Sequence, residues 1–150
     1  MELTELYQQH KQSVYRLAVT WLRSACEAED VTQETFLRLI EWKGKLQPGR
    51  ERSWLLTVAA NLCRDRLRLR KRHPEEPLSE QLPGIGPKDY EVLEAVLELP
   101  LKERSAVHLY YFEGYSTVEI AAIMGCSRSA VSKWLGMARK RLKHRLEAFG

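Results

Sequence analysis

The stretch 116–142 constrains the fold most, because two helix starts and one helix stop follow each other closely there. Ser116 and Glu119, three residues apart, form a capping box, which predicts a helix that begins immediately after Ser116. Gly125 supplies the left-handed residue that ends this helix. Ser127 can cap a second helix directly after the turn. Apolar residues are spaced to pack the two helices together: Ile120, Ala121, Met124, Val131, Trp134, Leu135 and Ala138.

The second of these helices is basic and has no acidic residue between Arg128 and Arg145. Its predicted exposed face has short polar side chains near the N-terminus, which suits a DNA major groove with phosphates on either side. The alternative is an ordinary solvated basic helix in a helical hairpin. Spacing, caps and charge together favour a DNA-binding helix-turn-helix.

Composition indicates a globular protein with two basic segments and one acidic segment. Of the 150 residues, 44% are hydrophobic and 29% are charged, and the net charge is +4. Basic residues dominate 64–72 and the C-terminal helix, whereas 27–41 is acidic. This distribution predicts contact with nucleic acid at two places and with another partner at the third. No apolar run approaches the ~20 residues of a membrane span.

Cys26, Cys63 and Cys126 are far apart and form no CxxC pair. An odd number without short spacing argues against a disulfide framework or a zinc site, so buried free thiols in a reducing cytoplasm are expected. The sequence also lacks paired carboxylates, a His/Cys cluster, a glycine-rich phosphate loop and a nucleophile motif. We therefore expect no catalysis, no cofactor, no metal ion and no small-molecule substrate.

The helical periodicity predicts an all-α protein with two small domains. Four of the six prolines fall in 73–88, which is expected to be an extended linker between domains at 1–72 and 89–150. The first domain should be a three-helix bundle and the second a four-helix domain that ends in the helix-turn-helix. Before that motif, helices are predicted at 3–22, 25–43, 52–72, 89–98 and 101–112.

Several side chains are expected to be buried in these bundles. His10 should be a core or boundary histidine. Ser24 and Glu27 should form a capping box before the second helix. The predicted core of the second helix comprises Val31, Phe36, Leu39 and Ile40. The third helix should bury a stripe of Leu55, Val58, Ala59, Leu62, Arg66 and Leu69. The aromatic residues Tyr110, Tyr111 and Phe112 are expected at core and boundary positions.

Three segments resemble a known protein family: AEDVTQETFLRLI (28–40), WLLTVAANLCRDRLRLR (54–70) and the helix-turn-helix. They resemble regions 2.2, 2.3–2.4 and 4 of bacterial sigma factors, and most closely the small extracytoplasmic-function (ECF) group. The order and separation of the segments also fit that group. The resemblance implies a subunit that directs RNA polymerase to promoters and binds core polymerase and promoter DNA. ECF sigma factors are commonly held by an anti-sigma protein, so such a partner is expected too.

The resemblance also implies roles for particular residues. Trp54 matches an aromatic residue that the family buries, so it is expected to belong to the core. The acidic helix of region 2.2 should dock on core polymerase through Asp30, Gln33, Glu34 and Glu41, although an ordinary solvated acidic face is the alternative. The minus-10 element should be bound and melted by the 43–52 loop and the third helix, through Lys43, Lys45, Arg50, Arg52, Asn61, Arg64, Arg66 and Arg68. For Asn61 a locally bonded mid-helix amide is equally plausible.

The minus-35 element should be contacted by the last helix, through Arg128, Ser129, Ser132, Lys133, Met137, Arg139 and Lys140. The sequence departs from the family there, since many members read Gly-Thr-Val-Lys-Ser-Arg where this chain has SAVSKW at 129–134. The family's base contacts are therefore not carried over. Lys133 is expected to reach a guanine, whereas Arg128, Arg139 and Lys140 should lie nearer the phosphates.

Two other functions compete with this interpretation. A stand-alone regulator would bind DNA through the second domain and dimerise through the first, but a dimerisation domain needs neither the acidic helix nor the arginine-rich one. An RNA-binding protein would fit the charge, but a helix-turn-helix favours duplex DNA.

Overall fold

The structure, a computed structural model, describes residues 2–42, 46–70, 92 and 94–147. Every regular element within these ranges is a helix, which confirms the predicted all-α class. The chain divides into two compact units, Met1–Glu76 and Pro77–Gly150. In the described ranges no helix is both long enough and apolar enough to pass through a membrane. The predicted linker 73–88 lies outside them.

The first unit packs three helices against one another, α1 (Leu3–Leu22), α2 (Ala25–Glu41) and α3 (Glu51–Leu69). The bounds of α1 are those predicted, and its buried side includes Val14, Leu17, Ala18, Trp21 and Leu22. His10 is buried on this side, as expected. Burial, together with the nearby Arg52 charge, lowers the pKa of His10 below its usual value.

The second helix begins as predicted but ends earlier. The Ser24 hydroxyl accepts a hydrogen bond from the Glu27 amide at 3.2 Å, so Ser24 caps α2. The helix stops at Glu41 because Trp42 has an extended backbone, with φ −70° and ψ 118°. The predicted end at Lys43 is therefore wrong, and Lys43 itself lies outside the described residues.

The predicted core of α2 is correct for Val31 and Phe36, while Leu39 is half-buried. The assignment of Ile40 to the core is wrong, because its side chain is 60% exposed. Ile40 lies about 100° around the helix from Leu39, which turns it away from α1 and α3.

The third helix is shorter than predicted at its end, and its last turns leave the core. Its buried residues are Leu55, Leu56, Ala59, Ala60 and Cys63. The burial predicted for Leu69 is wrong, since this residue is 79% exposed and lies beyond the last buried position of α3. Trp54 is only half-buried, so its assignment to the core is also wrong; its ring centroid lies 5.6 Å from that of Trp42.

The three cysteines differ in burial. Cys63 is buried, and burial raises the pKa of its thiol to about 12. Cys126 is half-buried. Cys26 is exposed, so the expectation that all three are buried is wrong for this residue. It lies in the first turn of α2, on the side that packs on neither α1 nor α3.

The second unit contains α4, of which residues 94–97 are described, followed by α5 (Leu101–Val107), α6 (Thr117–Met124) and α7 (Arg128–Glu147). The predicted start of α4 near residue 89 lies outside the described residues. The α-helix predicted at 101–112 is wrong in its last part. After Val107 the chain forms a π-helical turn, His108–Phe112, in which the Glu113 amide donates to the His108 carbonyl at 3.1 Å.

The π-helical turn changes which aromatic side chains are covered. A π-helical turn contains one residue more than an α-helical turn, so it shifts the following side chains around the axis. Tyr111 and Phe112 are 54% and 53% exposed, so the prediction that they pack in the core or its boundary is wrong. Tyr110 is also exposed, at 37%, and its ring centroid lies 4.9 Å from that of Tyr111 in a T-shaped arrangement.

Candidate protein and nucleic-acid interfaces

The turn between α6 and α7 has the geometry that the sequence predicts. Ser116 and Glu119 form the full capping box, with reciprocal hydrogen bonds of 3.2 and 3.1 Å. Gly125 has φ 69° and ψ 44°, and its amide bonds the Ala121 carbonyl. The Ser127 hydroxyl accepts from the Ala130 amide at 3.1 Å, which caps α7. These contacts determine the angle at which α7 leaves the turn.

Buried apolar side chains lie where α7 packs against α6 and α5. Val131, Leu135 and Ala138 are buried on α7, as predicted, and Ile120 and Met124 are buried on α6, which packs against α7. Ala121 and Trp134 are half-buried. Ile123 is buried too and was not predicted, although it lies three residues after Ile120 and so continues the apolar stripe.

The residues predicted to contact the minus-35 element lie on the exposed part of α7. All seven are exposed: Arg128, Ser129, Ser132, Lys133, Met137, Arg139 and Lys140. The buried stripe of Val131 and Leu135 holds the opposite side of the helix against the unit. The first turns of α7 therefore present small polar side chains and Lys133 to solvent, in a form that can enter a major groove.

Two other basic residues of α7 are used within the unit. Arg141 bonds the Glu103 carboxylate at 3.1 Å, and Glu103 is almost fully buried. Arg145 pairs with Glu98. Both partners precede α6 in the sequence, so these pairs connect the C-terminal half of α7 to α5 and to the turn before it. Sequence reasoning counted these arginines as part of a basic face and missed their acidic partners.

Arg139 contacts the π-helical turn. Its Nε donates to the hydroxyl oxygen of Tyr111 at 2.6 Å, and its guanidinium carbon lies 5.7 Å from the centre of the Tyr111 ring. Sequence reasoning missed this contact, because it requires the outward rotation of Tyr111 that the π-helical turn produces.

In the first unit, the predicted polymerase-binding residues line a groove between α2 and α3. The groove has a volume of about 360 Å³ and includes Asp30, Gln33 and Glu34. The lining also includes the apolar side chains Val31, Leu37, Leu62 and Leu69 and the charged pair Asp65 and Arg66 of α3. Of these, Leu37 and Leu69 are more than half exposed, and sequence reasoning did not identify them as surface residues. Glu41, the fourth predicted residue, is exposed at the end of α2 and does not line the groove.

Ion pairs connect this acidic helix with the arginine-rich part of α3. Arg66 lies 3.7 Å from Asp30, and Arg70 pairs with Glu27. Arg66 was predicted to contact minus-10 DNA and Asp30 to contact polymerase, so the structure brings one residue of each predicted set together. Because both side chains of the Arg66–Asp30 pair are substantially exposed, it contributes at most about 1 kcal/mol to stability.

The remaining candidates for minus-10 contact surround the start and the outer side of α3. Asn61 is exposed, and its amide oxygen accepts from Arg64 at 2.9 Å. The Arg64 guanidinium also lies 5.6 Å from the centre of the Trp21 ring. Arg68 is exposed and lies 3.4 Å from Asp65. Arg50 is exposed and Arg52 half-buried, while Lys43 and Lys45 lie outside the described residues.

The chain matches two known domain families. Residues 6–73 match the family described as Sigma-70 region 2, and residues 90–142 match the family described as Sigma-70, region 4.

Individual relatives are identical to this chain at about a third of the aligned residues. The ECF RNA polymerase sigma factor SigE of Mycolicibacterium smegmatis is 35% identical over 93% of this chain, which spans 59% of that protein. SigM of Mycobacterium tuberculosis is 30% identical over 92% of this chain and 74% of its own length. SigM of Bacillus subtilis is 31% identical over 95% of this chain and 94% of its own length.

Two solved structures have a similar fold, and one of them is described as a sigma factor. RpoE of Bartonella quintana, crystallised with the anti-sigma factor NepR, has a TM-score of 0.84 at 20% identity and 96% coverage of each chain. CnrH, determined in complex with the cytosolic domain of CnrY, has a TM-score of 0.73 at 26% identity. It covers 99% of this chain and 89% of its own.

Proposed function

The chain belongs to the ECF group of the sigma-70 family, and from this membership we propose that it binds core RNA polymerase and directs transcription initiation at specific promoters. It acts in the cytoplasm, where polymerase and promoter DNA are found, and performs no catalysis of its own. The observation that carries the proposal is the presence of both regions in one chain, with a groove between α2 and α3 in one unit and an exposed recognition helix in the other.

Core polymerase would bind the groove between α2 and α3. Asp30, Gln33 and Glu34 supply acidic and polar contacts along one side of α2. Leu37 supplies exposed apolar area in the same groove. A partial apolar centre with a charged rim is the usual composition of a protein–protein interface. A stand-alone regulator would not need this groove, which favours the sigma-factor function over the alternative.

Promoter DNA would be bound by both units. The outer side of α3, with Asn61, Arg64 and Arg68, would contact the melted minus-10 strand, because its guanidinium groups can neutralise backbone phosphates. Recognition of the minus-35 element would fall to α7, whose Lys133 extends from the exposed face. Arg66 and Arg70 each have an acidic partner on α2, so their contribution to DNA binding would be smaller.

An anti-sigma protein is the expected inhibitor. The structure of CnrH, to which this chain is 26% identical, was determined with the cytosolic domain of CnrY. A protein that covered the α2–α3 groove would prevent this chain from binding polymerase.

Charge reversal in the groove tests polymerase binding. The double substitution Asp30→Lys and Glu34→Lys should reduce co-purification with core polymerase at least about tenfold, because like charges across an interface are strongly unfavourable. The matched control, Glu2→Lys with Glu5→Lys, makes the same change in net charge at exposed positions on α1. Equal recovery of the groove variant and wild type, with circular dichroism unchanged, would contradict the proposed interface.

A further inference from the structure

The contact between Arg139 and Tyr111 joins the recognition helix to the π-helical turn. Arg128, Ser132 and Arg139 lie within roughly 40° of one another around α7. This line of residues is at the edge of the exposed face of α7, on the side towards the π-helical turn. Tyr111 meets Arg139 there with both its hydroxyl oxygen and its ring.

The distance along α7 determines what Arg139 can reach. Arg139 is eleven residues after Arg128, which corresponds to about 16 Å along the helix axis. The major groove of B-DNA is only about 12 Å wide. If the first turns of α7 occupy the groove, Arg139 lies beyond its edge, where the sugar-phosphate backbone passes. A guanidinium group in that position can contact a phosphate but not a base edge.

The contact uses only part of the guanidinium group. Tyr111 accepts from Nε, and the two Nη atoms hold the other four N–H bonds of the group. Those four are a suitable number and arrangement for a bidentate bond to phosphate. Among the described residues, Tyr111 is the hydrogen-bond partner that the structure assigns to Arg139. The tyrosine therefore restricts the guanidinium group and still leaves its phosphate-binding edge available.

We infer that Tyr111 is a positioning residue, which holds Arg139 in the orientation that binds a DNA phosphate beside the minus-35 element. An exposed arginine loses side-chain freedom when it binds, and this loss weakens the complex. Tyr111 restricts Arg139 before DNA arrives, so less freedom is lost on binding. The inference rests on the proposed function, because it requires that α7 enters DNA.

The π-helical turn gives a structural reason for this arrangement. An uninterrupted α-helix through residue 112 would place the aromatic side chains differently around the axis, and π-helical turns occur often at functional sites. Phe112, the next residue, is equally exposed but faces His108, with ring centroids 6.2 Å apart. Tyr111 bonds Arg139 of α7, whereas the ring contact that the structure assigns to Phe112 is with His108, so Phe112 is a matched control.

A double-mutant cycle with the holoenzyme tests the inference. The variants are Tyr111→Leu, Tyr111→Phe, Arg139→Ala, the pair Tyr111→Leu with Arg139→Ala, and the control Phe112→Leu. Each is assembled with core polymerase. Binding is measured on duplex promoters that carry the minus-35 sequence selected by the wild-type holoenzyme, or a mismatched one, over a series of salt concentrations. Thermal unfolding of each free variant reports whether the fold is intact.

The expected result is a loss of affinity that depends on Arg139. Arg139→Ala should lower the salt slope by about 0.9, the value for one phosphate contact. Tyr111→Leu should weaken binding about 3- to 10-fold on matched and mismatched duplexes alike. It should have almost no further effect once Arg139 is alanine, which identifies a shared contribution. The DNA affinity of Tyr111→Phe should lie between those of wild type and Tyr111→Leu, because this variant keeps the ring and loses the hydroxyl acceptor. Phe112→Leu should bind as wild type does.

Two contrary results have different meanings. Wild-type affinity for Tyr111→Leu, or equal losses with and without Arg139, would overturn the positioning role while the proposed function stands. Failure of the wild-type holoenzyme to select any minus-35 sequence would contradict the proposed function itself. Hydrogen exchange of the Arg139 Nε–H in the free protein provides a readout without DNA. It should be faster in Tyr111→Phe than in wild type, and an unchanged rate would also overturn the inference.

Discussion

Lys133 lies in the second turn of α7, with Ser129 one turn before it and Met137 one turn after it. All three are exposed, and Lys133 is the one that combines charge with enough reach to bond guanine O6 and N7. Lys140 is exposed two turns later, near the position at which phosphates pass. The two lysines have the same chemistry, so their different places on α7 predict different functions.

Replacement of Lys133 by alanine should therefore relax sequence preference. We expect a loss of about 1–3 kcal/mol of discrimination at one or two base pairs of the minus-35 element. Lys140→Ala should instead weaken binding to all sequences alike and reduce the salt slope. Holoenzyme binding to a set of singly mismatched duplexes distinguishes these outcomes. An equal loss on every duplex for Lys133→Ala would show that Lys133 is a phosphate contact.

The elements show which features can be predicted from sequence. The caps of α6 and α7 depend on side chains within three residues of each other, so local spacing identified Ser116, Glu119 and Ser127 correctly. The ion pair between Arg141 and Glu103 depends on helices brought together by folding, and no local pattern indicates it. The exposed ends of α2 and α3 were missed because apolar spacing shows which side of a helix is buried, not where its packing partner stops.

The π-helical turn is the element that sequence reasoning had least means to predict. Residues 101–112 have the periodicity of one continuous helix, and the wider turn appears only in the hydrogen bond between Glu113 and His108. The misassigned burial of Tyr111 and Phe112 follows directly from this local change. The candidate phosphate contact of Arg139 was found from sequence, but the side chain that positions it was not.

Gly125 provides a quantitative test at the scale of the turn. Its φ of 69° is strained for any residue with a Cβ, although a Cβ there would touch nothing within 4 Å. Gly125→Ala should therefore destabilise the helix-turn-helix by about 1–2 kcal/mol through backbone strain alone. Gly136 is the matched control, since it lies within α7 and its Cβ would also meet nothing. Gly136→Ala should stabilise α7 by about 0.5–1 kcal/mol.

Native-state hydrogen exchange of amides in α6 and α7 measures both changes locally. Equal effects of the two substitutions would contradict the role assigned to the left-handed turn.

In the proposed function, the whole molecule combines polymerase binding, strand melting and promoter recognition in two units. In the first unit, the acidic helix α2 and the arginine-rich helix α3 pack side by side, so residues assigned to polymerase and to DNA are neighbours. Sequence reasoning assigned both sets through family resemblance. It did not detect the apolar part of the groove, because Leu37 lies outside the predicted core of α2 and the regular spacing had assigned Leu69 to the buried stripe of α3.

Substitution of Asn61 tests strand melting separately from promoter binding. Asn61→Ala should slow open-complex formation on duplex promoters, because extrusion of a base costs a few kcal/mol that polar contacts offset. A pre-melted template should largely restore the rate. Since Asn61 bonds Arg64 in the free protein, Arg64→Ala is the necessary comparison. Equal defects of Asn61→Ala on duplex and pre-melted templates would count against a role in melting.

The central claim is that this chain gives core RNA polymerase its promoter specificity, and in vitro transcription tests it most directly. Purified core polymerase is incubated with genomic DNA, with and without the chain, and the 5′ ends of the transcripts are mapped. We expect discrete start sites that appear only with the chain, preceded by a shared pair of upstream elements. We also expect the Asp30→Lys, Glu34→Lys double variant to lose these starts. Transcripts that are identical with and without the chain would contradict the claim.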